Sequence, residues 1–362
     1  MENEMLINQD LYYRLRLPMR KPKPIKMPTR ALTMLLCVTF LLITGCDAGD
    51  RPVSQNRYAK GTVLAAQTST NGRFTLIATG PSPVQVWQQG VPEPIYRWYQ
   101  GESNDDILLL TTSPDSQTAA TATQTTVAVW SLLNGENRGF YQLEQPLRAL
   151  ALSDNGRHLL LGYQDGSVEF VNLSSGRRLV FMGHLQTEQQ QRINSVDLSA
   201  NGRYALTASQ DGQVLLWQTT DAAILGQWRH ENSITLVRLG PEGKLAFSAD
   251  AQGQGELHHL PSGLLLSRLQ IPYRGQTFVS ARLSPDRNQL LTGSTSRRLE
   301  LWQLDNGQQL QHWQVGTHTK LRPASAMVYD VAFSGARQVY SVSSSGLGET
   351  WNLDSKDSRE AN

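Results

Sequence analysis

From about residue 58 to residue 353 the chain alternates short apolar runs with polar, Gly-bearing turns, and the runs read with the two-residue period of strands. Val214-Leu215-Leu216-Trp217 and Leu299-Glu300-Leu301-Trp302 show the pattern well. Helical periodicity is absent from this region. A unit recurs: an apolar strand, a turn, a second apolar strand, a second turn, then a strand that often ends in Trp. One copy runs from Ile193 through Ser199-Ala200-Asn201-Gly202 and Asp211-Gly212 to Trp217. A second runs from Leu147 through Ser153-Asp154-Asn155-Gly156 and Asp165-Gly166 to Val171, and a third from Ser280 through Ser284-Pro285-Asp286 to Trp302. The equivalent closing positions are Trp87, Trp130, Val171, Trp217, His258, Trp302 and Trp351, spaced 41 to 49 residues apart.

That spacing is the length of a four-stranded blade. One such sheet cannot bury both of its faces, whereas blades stacked around an axis bury both and leave only short edges. The expectation is an all-β fold, a β-propeller of seven blades. After Trp351 only Asn352-Leu353 and a polar tail, residues 354–362, remain, so the last blade lacks an outer strand. Residues 53–61 precede the first inner strand and are positioned to supply it, which closes the ring.

The fourth unit carries Thr207-Ala208-Ser209-Gln210-Asp211-Gly212 and then Trp217, with Gly183-His184 ahead of it. This resembles the WD-repeat family, whose members fold as propellers. In that family a His, a Ser or Thr, an Asp and a Trp form a hydrogen-bonded network within a blade. The resemblance implies that His184, Thr207, Asp211 and Trp217 form such a network, with the Asp fixing the His tautomer, in a structural role. The other units depart from it. Ser296 and Ser345 stand where Asp belongs, Val171 and His258 replace Trp, and Trp87 is followed by Gln88.

Ahead of the repeats lies a different kind of segment. Ala31 to Ile43 is an unbroken run dominated by apolar residues, preceded by Arg30 and six further basic residues. It has the length of a signal-peptide core and is short for a membrane span. Ile43-Thr44-Gly45-Cys46 resembles the lipobox of bacterial lipoproteins, in which the cysteine thiol takes a diacylglycerol and the leader is removed. The resemblance implies that residues 1–45 are a signal peptide and that Cys46 is lipidated; Asp47 to Arg57, polar and with Gly49, Pro52 and Ser54, reads as a short flexible tether. Met27, or alternatively Met19, gives a more ordinary leader than Met1. By resemblance to enterobacterial sorting, Asp47 favours the inner membrane facing the periplasm, with the outer membrane as the alternative.

Charge adds a restriction. The chain has 33 Lys and Arg against 31 Asp and Glu. Residues 1–45 hold seven of the basic and three of the acidic residues, so the remainder carries 26 against 28. No basic stripe points to nucleic acid. The two cysteines are Cys37 and Cys46, so the repeat region has no disulfide and no cysteine metal site.

Candidate chemistry is sparse. His258 and His259 are neighbours on a strand and face opposite ways, and His258 fills a Trp slot, so packing is expected rather than a metal pair. Ser153-Asp154-Asn155 falls on a repeat turn without a Ser-x-x-Lys partner. No phosphate loop and no nucleophile–base spacing is found, and neither a cofactor nor a small-molecule substrate is expected. Three insertions link an outer strand to the next inner strand and share one rim: one ending at Arg192, one containing Tyr273 and Arg274, and one containing His318, Lys320 and Arg322. Insertions on one face of a repeat protein, carrying aromatic and Arg side chains, suit a partner site. The expected function is therefore a membrane-tethered, non-enzymatic scaffold or adaptor that binds an envelope protein. The alternatives are a subunit of an envelope assembly machine or a propeller enzyme (hydrolase, lyase or quinone-cofactor dehydrogenase).

Overall fold

The computed structural model describes residues 51–353 apart from 82, 102–104, 186–191, 274, 285–287 and 318–324. Cys46, the leader and the tail lie outside the described residues, as do Arg274, His318, Lys320 and Arg322.

The described residues form seven four-stranded antiparallel sheets in chain order. Blade 1 runs from Ala65 to Trp98, blade 2 from Leu109 to Gln142 and blade 3 from Leu147 to Phe181. Blade 4 covers Ile193–Arg229, blade 5 Ile234–Arg268 and blade 6 Phe278–Gln314. Blade 7 takes Val328–Phe333, Gln338–Ser343 and Leu347–Asn352 as its first three strands. Each closing residue named above falls on the third strand of its blade.

Seven apolar clusters lie between the blades, each shared by one neighbouring pair. This explains the sequence pattern. Second strands such as Phe74–Ala78 and Thr118–Ala122 are buried at every position, because blades cover them on both faces. Outer strands such as Asn137–Gln142 alternate between exposed and half-buried positions. They are the free edges of the sheets, and Arg97, Arg138, Arg178, Arg229 and Arg268 sit on them. Charge on an edge strand opposes pairing with another chain.

The seventh blade is completed by Ser54–Arg57, which pairs antiparallel with the last strand: Ser54 opposite Thr350, Gln55 opposite Glu349 and Arg57 opposite Leu347. The stretch expected as tether through residue 57 thus gives its last four residues to the propeller. Burial of the partner strand explains why: Leu347–Trp351 has an outer neighbour only if the N-terminal segment provides it. Tyr58 follows directly and packs on Trp87 of blade 1, ring centroids 5.1 Å apart.

Inner strands carry a register shift near their start in blades 3 to 7, as between Ile193 and Ser195. A second shift lies just before the closing residue in blades 2, 4, 5 and 6. Such bulges bend and twist a strand locally. The second set lies beside the closing residue, which packs against the outer strand of the preceding blade in blades 2, 4 and 5.

Candidate functional site

In blade 4 the network implied by the sequence is present in part. His184 sits on the short 3₁₀ turn Gly183–Leu185, and its Nε2 is hydrogen-bonded to Thr207 Oγ1 at 2.8 Å. Trp217 lies opposite Ala205 in register, so its indole reaches diagonally and Nε1 donates to the same oxygen at 2.8 Å. Phe181 of the preceding blade stacks on Trp217 at 4.9 Å. Asp211 is not bonded to His184. It accepts from Ser209 Oγ, from the Gln213 backbone N–H at 3.0 Å and from Arg229 at 2.8 Å. His184 Nδ1 is buried without a partner, so the expectation that Asp211 fixes the tautomer is corrected. The physical reason is local: an Asp two residues before Gln213 closes its own turn, and Arg229 across the edge takes the other oxygen. Burial holds the His184 imidazole down at about 4, with Asp211 opposing that only weakly.

The same hydroxyl–indole pair recurs. Trp130 donates to Thr121 at 2.9 Å, Trp302 to Thr292 at 2.8 Å and Trp351 to Ser341 at 3.0 Å. In blade 2 Gln100 replaces the His and accepts from Thr121 at 2.5 Å. Blade 5 is rebuilt. His258 fills the Trp slot, and Trp228 from the outer strand of blade 4 stacks on it at 4.4 Å. The Trp228 indole donates to Ser248 Oγ at 3.0 Å, and His230 Nε2 joins that oxygen at 2.8 Å. Sequence reasoning missed His230 and Trp228 because the indole comes from a neighbouring blade. The available signal was an aromatic near the end of the outer strand: Trp98, Phe181, Trp228 and Trp313 each cover the closing residue of the next blade.

Ser248, His230 and Asp250 follow the order of a hydrolytic triad, with His230 Nδ1 3.9 Å from Asp250 Oδ2. All three are buried, the Ser248 hydroxyl is held by two partners, and no substrate carbonyl has room to approach it. His258 is likewise engaged, to the Gly263 carbonyl at 3.0 Å and to Glu256 at 3.2 Å, while His259 is exposed. Opposite orientations were expected and are found. Among the described residues no three His, Cys, Asp or Glu side chains converge as a metal site.

The inner strands turn a free edge to the central channel, and channel side chains satisfy it. Asp197 accepts the N–H of Leu198 at 2.9 Å and that of Leu239, on the next blade, at 2.7 Å. Asp330 accepts Thr68 N–H at 3.0 Å across the ring closure and lies 3.4 Å from Arg282. Burial pushes both carboxyls up and the Arg238 guanidinium down from their ordinary values. Where the inner strands end, the channel widens to a cavity of about 440 Å³.

One repeat of the chain, residues 177–218, matches the family described as WD domain, G-beta repeat. Those residues include Thr207, Asp211 and Trp217. The fold is similar to the crystal structure of the Myceliophteria thermophila Cps50 (Swd1) beta-propeller domain, with a TM-score of 0.68 over 83% of this chain and 99% of that one, at 12% identity. The fold is a seven-bladed β-propeller, and one of its blades matches the WD repeat. Among curated proteins no sequence matches it.

Of the predicted partner residues, Arg192 and Tyr273 are described, and they lie on different connections of the propeller. Arg192 leads into blade 4 and Tyr273 into blade 6, on connections between an outer and an inner strand. Arg192 is half-buried, its Nε sealed without a partner. Tyr273 lies under the Arg298 guanidinium, 4.0 Å from the ring centre, and its hydroxyl accepts from Gln309 at 3.3 Å. Tyr273 is therefore partly committed to blade 6.

Proposed function

We propose that this WD-repeat propeller is a lipid-anchored scaffold of the bacterial envelope, held through Cys46 and displaying its rim connections to a protein partner. The observation that carries the scaffold reading is the fate of the reactive side chains. His184, Thr207, His230 and Ser248 are spent on hydroxyl–indole–imidazole packing inside blades, and what supports a scaffold is the rigid surface those blades offer. Repeat propellers present such surfaces through their connections. The anchor rests on Ile43-Thr44-Gly45-Cys46 after the apolar run, and several acyl chains on one residue give durable attachment. Asp47 supports retention at the inner membrane.

Membrane fractionation of wild type beside Cys46→Ser, each followed by in-cell cross-linking and mass spectrometry, tests this. The expected result is a wild type in the membrane fraction with one reproducible cross-linked partner that Cys46→Ser loses or captures weakly. Identical fractionation of the two proteins overturns the anchor. A wild type that yields no reproducible cross-link overturns the scaffold.

A further inference from the structure

The cavity at the end of the channel is not accounted for by any of the interactions above. Its walls are unequal. At equivalent places on the inner strands, blades 5 and 6 present Arg238 and Arg282, whereas blades 2 and 3 present Thr111 and Ala151. The apolar lining includes Leu110, Leu150, Leu239 and Phe333, all half-buried. Donors and acceptors do not balance either. Both oxygens of Asp197 are satisfied by backbone N–H groups. Asp330 Oδ2 is shared by Gln67, Thr68 and Arg282, and its Oδ1 is sealed from the channel. Arg238, by contrast, makes one hydrogen bond among the described residues, to the Val237 carbonyl at 2.8 Å. A guanidinium has five N–H donors in a planar fork. Arg282 makes only long contacts, 3.4 Å to Asp330 and 3.4 Å to the Val331 carbonyl. The unused valence of these two Arg side chains is therefore donor valence, and the lining on blades 2 and 3 sets Leu110 and Leu150 beside Thr111, Thr112, Asp115 and Ser116.

We propose that this end of the channel binds a small organic carboxylate with a short apolar tail, the carboxylate on Arg238 and Arg282 and the tail against Leu110 and Leu150. The site is independent of the lipid anchor and of the rim connections. A pocket with mostly apolar walls and a few convergent polar groups is the usual form of a small-molecule site. Arg recognises a carboxylate through two parallel N–H donors, which Lys cannot reproduce.

Hexanoate is the probe, with hexylammonium and hexanol as matched controls, titrated into the purified protein at constant ionic strength and followed by calorimetry and saturation-transfer NMR. Saturable binding of hexanoate, at least tenfold tighter than either control, is the expected result. Arg238→Gln is expected to weaken it about tenfold or more, and Arg238→Lys to recover only part of the loss. Thr111→Phe, at a half-buried position of the cavity lining on blade 2, fills the cavity away from blades 5 and 6 and is expected to abolish binding, which keeps the test decisive if an Arg variant does not fold. Absence of saturable hexanoate binding, equal binding of hexylammonium, or unchanged binding by folded Arg238→Gln or Thr111→Phe overturns the proposal.

Discussion

The Oγ1 of Thr207 serves two buried partners at once, Trp217 Nε1 and His184 Nε2, each at 2.8 Å. Thr207→Val keeps the shape and removes the oxygen, which strands both nitrogens away from water. Each unsatisfied buried group costs about 1–3 kcal/mol, so urea unfolding is expected to show a loss of roughly 2–4 kcal/mol. A loss below about 1 kcal/mol contradicts that role. His184 adds a pH dependence. Its folded value, about 4, lies below the ordinary 6.5, so between those values the unfolded chain binds the extra proton. Stability is thus full above pH 6.5 and falls as pH drops toward 4, by roughly 3 kcal/mol if the whole shift is realised. Gln holds the equivalent place in blade 2, as Gln100, and His184→Gln is expected to flatten this part of the stability–pH curve. A slope unchanged in that variant assigns the dependence elsewhere, His158 and His230 being the other imidazoles that burial depresses. At this scale Thr207 and Trp217 were legible, because their spacing is that of a good repeat. Asp211's choice of Ser209 and Arg229 was not, since it depends on competition among three neighbours that a motif does not rank.

Turns and edges decide the elements. Gly212 closes the hairpin between the second and third strands of blade 4 with φ at +85°, and a Cβ there meets the His230 carbonyl oxygen at 2.4 Å. Gly212→Val is therefore strained in backbone and contact alike, with an expected cost of roughly 2–4 kcal/mol in chemical denaturation. Full stability in that variant contradicts the geometry. The closing strand was legible as a need: a last blade with three strands and an unassigned segment at the other end of the domain. Its register and Tyr58 were not, because nothing local in Ser54–Arg57, exposed at every position, reads as a strand. Tyr58 joins blade 7 to blade 1, packing on Trp87 and accepting the Tyr340 hydroxyl at 2.9 Å. Tyr58→Ala is expected to cost about 3 kcal/mol and to expose residues 338–352 to limited proteolysis before the other blades. Uniform cleavage contradicts closure at this seam.

For the molecule as a whole, the repeat period made the fold readable and the chemistry hard to read. Aromatics pass from the outer strands of blades 1, 3, 4 and 6 to the next blade, so side chains that look like a metal pair at His258 and His259, or a triad at Ser248, are packing elements once the neighbour is present. Blade 5 shows why one repeat read alone misleads: its missing Trp is supplied by Trp228, beyond the repeat boundary. The channel was invisible to the sequence for a related reason. Arg238 and Arg282 are 44 residues apart and meet only because successive inner strands line one axis. The scaffold reading, in turn, depends on where the domain is held. Its most direct test is palmitate labelling of wild type and Cys46→Ser in the bacterial host, combined with intact mass of the protein from each fraction. The account predicts a labelled wild type in the membrane fraction, with a mass that places acylated Cys46 at the mature N-terminus, and an unlabelled Cys46→Ser. An unlabelled wild type that begins upstream of Cys46 contradicts it.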